Sequence, residues 1–354
     1  MRRKPGRLKV RRLFLLGAGA SFRVSSGAGA SEERQAPLDR DFCDRLAKVK
    51  AIKPKWVGPC RDFVQSEWLD EKPFREFGLE QAVLRQLGHL EFIDAIHPRR
   101  RKTSLTDFEY MNRLSHLICF VLRRARENTN GAYSRFANKV FPAGSRAEDI
   151  EDRVITFNYD ELLEKNLFDR YDIREIYFDR LGDAPRPKSR TYGNHPFPLV
   201  VKLHGSVNWR CFKQDFENVV RCQPGDAANY SIDPVWFSSV GTPSPTDRSS
   251  PLIMPPLPVK PITHVDLFRF LWTTAYEYLH EARELVICGY SLPDADRMAQ
   301  SMFANFSNKS VTQITVVEPN PAVLSKWRAL LRRKNVNNAR WTYYEDFDEY
   351  VEAM

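Results

Sequence analysis

Arg12-Leu-Phe-Leu-Leu-Gly-Ala-Gly-Ala-Ser21 is the stretch that decides the fold. A short apolar run entering a glycine turn reads as a buried parallel strand that feeds a helix. The same grammar recurs four times. Asp152 to Phe157 runs into Asn158-Tyr-Asp160, and Pro198 to Leu203 runs into His204-Gly-Ser206. Glu284 to Cys288 runs into Gly289-Tyr-Ser291, and Gln313 to Val317 runs into Glu318-Pro-Asn320. Arg340 to Tyr344 reads as a last strand. Helical spacing fills the gaps at Glu161–Phe168, Asp266–Ala282, Asp294–Phe306 and from Asn320 to about Arg333. Strand, turn and helix in alternation predict an α/β fold, a Rossmann-like doubly wound parallel sheet. In such a sheet ligands bind beyond the carboxyl ends of the strands. All five polar motifs fall at predicted strand ends, so they should meet there.

Two regions break the alternation. From about 37 to 144 the apolar period is helical, clearest in Asp39–Val49, Phe74–Ile96 and Thr106–Glu127. This predicts a helical inserted subdomain within a single domain spanning 13–354. From about 223 to 261 the chain is rich in Pro, Gly and Ser with no clear period, which predicts an irregular active-site loop or lid. A second GAGAS at Gly27–Ser31 follows no strand and reads as a flexible loop.

Composition narrows the class. With 42% hydrophobic and 28% charged residues the chain has the apolar content for a packed core, which excludes wholesale disorder and collagen-like repeats. No apolar run approaches the ~20 residues of a membrane-spanning helix. The net charge is +9, of which residues 2–12 supply seven: Arg2, Arg3, Lys4, Arg7, Lys9, Arg11 and Arg12. Residues 1–12 therefore read as a basic arm, suited to nucleic acid, to an acidic partner or simply to solvent. Arg11-Arg12-Leu-Phe-Leu15 also has the look of a twin-arginine signal. Its apolar stretch is short and is interrupted by Arg23, so the strand reading is the better one. The six cysteines form no C-x-x-C pair, which suits a reducing cytoplasm and gives no basis for a zinc ribbon.

The strand-end motifs carry candidate chemistry. Gly17 and Gly19 would let backbone amides approach a pyrophosphate, or would simply make a tight turn. Glu318 could accept hydrogen bonds from a ribose diol, or be an ordinary acid at a strand end. Asn158 could hold a ribose hydroxyl or a water. His204 alone among the histidines stands between an apolar strand and a glycine turn, and it can act as a base near neutral pH.

Taken in order, Leu16-Gly-Ala-Gly-Ala-Ser21, Thr156-Phe-Asn-Tyr-Asp160, Lys202-Leu-His-Gly-Ser-Val-Asn208 and Ile287-Cys-Gly-Tyr-Ser-Leu-Pro-Asp-Ala-Asp296 resemble sirtuin-like domains. Leu252-Ile-Met-Pro-Pro256 with Lys260, and Leu79-Glu-Gln-Ala-Val-Leu84, are similar to the divergent bacterial branch associated with antiviral defence. The resemblance spans residues 13 to about 320. It implies NAD+ as substrate, with Gly17, Ala18, Gly19, Ser21, Gly289, Ser291 and Glu318 around it. It implies catalytic roles for Asn158, Asp160 and His204, and NAD+ hydrolysis to nicotinamide and ADP-ribose. Deacylating sirtuins carry four zinc-binding cysteines after the histidine, where this chain has only Cys211 and Cys222, so no zinc is expected. The resemblance further implies an oligomeric, repressed, cytoplasmic effector. Its partner would be a separately encoded ATPase or an Argonaute-like protein, with nucleic acid engaged only indirectly or through the basic arm. The alternatives are a protein deacylase or ADP-ribosyltransferase on the same core, a non-catalytic nucleotide-sensing module, and a nucleic-acid-binding protein.

Overall fold

The structure is a computed structural model. It describes residues 9–25, 35–38, 41–42, 44–45, 55–66, 79, 83, 107–127, 130–178, 197–221, 232, 235–238, 247–254, 264–293, 296–331, 336 and 338–354. In chain order the principal elements are β1 (Val10–Leu16), α1 (Ala18–Ser25), α2 (Val57–Ser66), α3 (Asp107–Leu122), α4 (Ala132–Val140), β2 (Arg153–Thr156), α5 (Ile173–Ile176), β3 (Val200–Lys202) and β4 (Gly205–Phe212). They continue with α6 (Lys213–Arg221), β5 (Trp236–Phe237), β6 (Ser249–Ile253), α7 (Asp266–Glu281), β7 (Ala282–Cys288), α8 (Arg297–Ala304), β8 (Gln313–Val317), α9 (Pro321–Leu331), β9 (Arg340–Tyr344) and α10 (Phe347–Ala353).

Six strands form one parallel sheet in the order β3-β2-β1-β7-β8-β9. The order reverses at β1/β7, the switch point of a Rossmann-like sheet, where a crevice opens at the carboxyl edge. Helices flank the sheet: α7 packs on β1 and β3, while α10 packs on β9, α1 and α4. The carboxyl halves of the middle strands are buried because both faces are covered, and apolar residues dominate them. Leu13, Phe14, Leu15, Val154, Ile155, Val286, Ile287, Ile314 and Val316 are all buried. Register brings the strand ends into line. Leu16 pairs with Thr156 and Cys288, Thr156 with Lys202, Cys288 with Val317, and Val317 with Tyr344. The residues that follow each strand therefore emerge along one edge.

Several expectations need correction. The segment 223–261 is not simply an irregular loop: β5 and β6 lie in it, and they flank β4 in a three-stranded sheet of antiparallel pairs. These strands are only two and five residues long, and β6 opens with Ser-Ser-Pro, so no period was visible. The described residues between 37 and 144 include the helices α2, α3 and α4. α3 packs on β4, β6 and α6, and α4 packs on α10. Helices Asp39–Val49 and Phe74–Ile96 and the loop Gly27–Ser31 fall largely or wholly outside the described residues. Glu161–Phe168 is not a helix beyond a single turn at Glu164–Asn166. α10 went unpredicted, its acidic residues obscuring the buried Phe347, Tyr350 and Val351.

The basic arm is shorter than 1–12. Val10 to Arg12 belong to β1, where Arg12 pairs with Asp152 at 2.5 Å and Arg11 reaches the same carboxylate at 3.4 Å. Asp152 holds the guanidinium of Arg12 charged, raising its pKa despite the opposing cost of burial. Residues 1–8 lie outside the described part of the chain.

Candidate functional site

A cavity of about 610 Å³ lies beyond the carboxyl edge of the parallel sheet. That is within the size range of small-molecule and cofactor sites. Each of the five motifs contributes to it: Ala18 and Gly19 after β1, Asn158 after β2, His204 after β3, Gly289 and Ser291 after β7, and Glu318 after β8. A sixth strand end, Glu345 after β9, borders it too.

The glycines at the switch point hold two loops against each other. A Cβ on Gly17 would lie 2.6 Å from the Tyr290 Cα, and one on Gly19 would lie 2.9 Å from the Gly289 Cα. Gly289 has φ +60°, and its own Cβ would run into the amide of Ala20. Only glycine permits both the approach and the left-handed backbone. The contact is sealed by hydrogen bonds from the Gly17 amide to Cys288 O at 2.9 Å and from the Gly19 amide to Gly289 O at 3.0 Å. The amide of Gly19, expected to reach a pyrophosphate, is thus engaged within the protein. Gly17 and Gly19 are required by loop packing before any ligand is considered.

Asn158 has a similar double life. Its Nδ2 donates to Gly17 O at 2.9 Å and to Ser21 Oγ at 3.0 Å. Because a carbonyl can only accept, the amide orientation follows from this geometry. Both Nδ2 hydrogens are therefore occupied in tying β2 to the β1–α1 loop. The atom left to meet a ligand in the cavity is Oδ1, which can only accept. Ser21 is buried beneath, bonded to Tyr133 Oη at 3.1 Å, and borders a smaller adjoining pocket.

Asp160 does not border the main cavity. It lies on a smaller, adjoining pocket of about 130 Å³ that shares Ala18, Phe157, Asn158 and Tyr159 with the first. One carboxylate oxygen accepts from the amide of Leu162 at 3.0 Å, closing the turn after β2. Beneath it Lys202 donates to the Asp160 carbonyl and pairs with Glu164 at 2.7 Å. Both charges are buried, and burial pushes the Glu164 carboxyl above its usual range against the pull of Lys202. Lys202 belongs to the same motif as His204, yet its role as the cation beneath the turn was not foreseen.

His204 stands where the two sheets join. β3 ends at Lys202 and β4 begins at Gly205, whose φ of +77° turns the chain from one sheet into the other. A side chain at 205 would press against the backbone of Leu252 and Ile253. The His204 carbonyl accepts from the Met254 amide at 2.7 Å, and Tyr159 donates to the Met254 carbonyl at 2.6 Å. The ring is walled by Phe157, Tyr159 and Trp272, with centroids 5.6, 6.0 and 6.3 Å away. Its side chain keeps 8% of its surface exposed. Asp296 Oδ2 lies 3.6 Å from His204 Nε2 and accepts from the Tyr290 hydroxyl at 3.0 Å. No role was foreseen for Asp296 or Tyr290, although both stand in the quoted Ile287–Asp296 motif. The signal available was an acid placed three residues after a proline at a helix start.

At the far end the cavity is open and acidic. Glu318 is half-buried, its amide bonded to Tyr344 O at 3.0 Å and its carbonyl accepting from the Tyr343 hydroxyl at 2.6 Å. Glu345 is exposed. Asn320 borders the cavity, and its Oδ1 accepts from the Ala322 amide at 3.0 Å at the start of α9. Cys211 is fully buried, and desolvation raises its thiol pKa. Cys222 lies outside the described residues. No helix among the described residues is long and apolar enough to cross a membrane. No family model and no curated protein matches the chain.

Proposed function

We propose that this protein is an NAD+ glycohydrolase of sirtuin-like type, which cleaves the nicotinamide–ribose bond to give nicotinamide and ADP-ribose. The observation that carries this reading is the convergence of Asn158, His204 and Glu318 on one 610 Å³ cavity at the sheet's carboxyl edge. In the proposed reaction the bond from C1′ of the ribose to nicotinamide breaks, and its electron pair leaves with the ring as neutral nicotinamide. A water oxygen bonds to C1′ and its proton passes to His204. Asn158 Oδ1 accepts a hydrogen bond from that water or from a ribose hydroxyl and so orients it. Asp160, in the adjoining pocket, would favour the positive charge that develops on the ribose. The aromatic walls around His204 limit bulk water, which strengthens each of these interactions. Glu318 would accept from the hydroxyls of the adenosine ribose.

The test is to incubate the purified protein with NAD+ and measure nicotinamide and ADP-ribose release beside equilibrium binding. Release of both products supports the hydrolase. Saturable binding without cleavage fits either a nucleotide sensor or the repressed state of the enzyme. The absence of both binding and cleavage overturns the reading.

On the motif resemblance alone, the proposal extends to a cytoplasmic, oligomeric, NAD+-depleting effector of antiphage defence. Assembly, or a partner such as an ATPase or an Argonaute-like protein, would release it from repression. A nucleic-acid role for the basic arm is tested by the salt dependence of binding. The deletion should stop at residue 8, since removing residues 10–12 would take part of β1.

A further inference from the structure

We propose that Asp296 is a positioning residue for His204: it holds the imidazole and stabilises the imidazolium formed when His204 takes a proton. This rests on the reading of His204 as the base.

Among the described residues three aspartates occupy helix N-cap positions, a place where the carboxylate ordinarily accepts from the first backbone amides of the helix. Asp172 does so at α5, accepting from the Arg174 amide at 2.9 Å. Asp346 does so at α10, accepting from the Asp348 amide at 2.7 Å. Asp296 at α8 makes no side-chain cap. Its carboxylate is turned instead toward the cavity, onto the Tyr290 hydroxyl at 3.0 Å and toward His204 Nε2 at 3.6 Å. The residue is 3% exposed, so a stabilising cap has been exchanged for a buried carboxylate beside an imidazole.

The loop that delivers Asp296 is built against local preference. Gly289 has φ +60°, and Leu292, a non-glycine, has φ +53° with its side chain buried. A leucine in this region is uncommon and is held there by its surroundings. Trp327 donates to the Tyr290 carbonyl at 3.2 Å, Gln300 donates to the Pro293 carbonyl at 2.9 Å, and Lys326 donates to the Leu292 carbonyl. Tyr290 itself is stacked on Phe157, centroids 4.0 Å apart and planes parallel within 1°. The hydroxyl that orients Asp296 is thereby fixed by the loop that also carries Ser291.

Among the described residues the titratable groups facing His204 include Asp296, Tyr159 and, through Asp296, Tyr290. The carboxylate favours the protonated imidazole. Asp296→Asn keeps the shape and removes the charge. His204 should then titrate lower, by about one pH unit or more. The base is active when neutral, so the rising limb of kcat against pH should move to lower pH by the same amount. Plateau kcat should fall at least tenfold. Tyr290→Phe keeps the stack and the carboxylate and removes only the orienting hydroxyl. It should leave the His204 titration near wild type while lowering kcat.

The experiment is an imidazole NMR titration of ligand-free wild type, Asp296→Asn and Tyr290→Phe, with His204 assigned through His204→Gln, alongside the kcat–pH profiles. A lowered His204 titration in Asp296→Asn supports the pairing even where NAD+ turnover is undetected, which would count against the hydrolase reading alone. Identical His204 titration in wild type and Asp296→Asn overturns the inference, whatever the activity. If Asp296→Asn does not fold, unchanged kcat in Tyr290→Phe overturns it.

Discussion

The two ends of the cavity are built from different materials. At the inner end Asn158, His204 and Asp296 are each more than nine-tenths buried, and the His204 ring is walled by aromatic rings. At the outer end Glu318 is half-buried, and Glu345 and Asn320 are exposed. A charge placed at the inner end acts through a low dielectric, while one at the outer end is screened by water and salt. The inner end is suited to bond breaking and the outer end to selecting what enters. Chemistry should therefore be sensitive to single atoms at one end and tolerant at the other.

The largest expected effect is at the inner end. His204→Ala should lower kcat by about 10²–10⁴-fold, measured as nicotinamide release, with the melting temperature little changed. Lys202→Met strikes beneath the same end and should cost about 3–5 kcal/mol of stability by denaturant unfolding, because Glu164 is left buried without its cation. Glu164 is raised in the fold, so its contribution is full at acid pH and declines as pH rises through its native value. The Lys202→Met defect should accordingly shrink on acidification, and adding Glu164→Gln should recover much of the loss. Asn158→Ala removes two buried hydrogen bonds from the β1–α1 loop. It should cost about 1–3 kcal/mol as well as turnover, so its activity must be read against its unfolding curve.

Outer-end effects should be smaller. Glu318→Ala should raise the KM for NAD+ by about tenfold or less with kcat nearly unchanged, the signature of lost uniform binding. Glu345→Ala should narrow any preference for NAD+ over NADP+ by roughly two- to fivefold, since a screened surface charge repels the extra phosphate only weakly. A fall in kcat at Glu318 or Glu345 to match that at His204 would break the distinction between the ends.

The parallel sheet was legible because its strands are buried on both faces. Leu13–Leu16 and Leu285–Cys288 read as unbroken apolar runs and Ile314–Val317 as one broken only by Thr315, and each stops at a polar motif. The second sheet was not legible. β4 contains Asn208 and Arg210, both buried, and β5 and β6 are short, so neither alternation nor an apolar run marks them. The site was legible as a set of residue types at one edge, since parallel strands put all their ends together. What each atom does was not legible. Nothing in the sequence places the Asn158 Nδ2 on Gly17, the Gly19 amide on Gly289, or Asp160 in the neighbouring pocket. Those depend on how two loops pack across the switch point. Asp296 was hidden for the opposite reason: an acid before a helix has a ready explanation as a cap, and only the structure shows that it does not cap.

The central claim is tested most directly by NAD+ consumption in wild type and His204→Ala, with products identified by mass spectrometry. The account predicts nicotinamide and ADP-ribose from wild type and a loss of both in the folded variant. Equal product formation by the two proteins would contradict it.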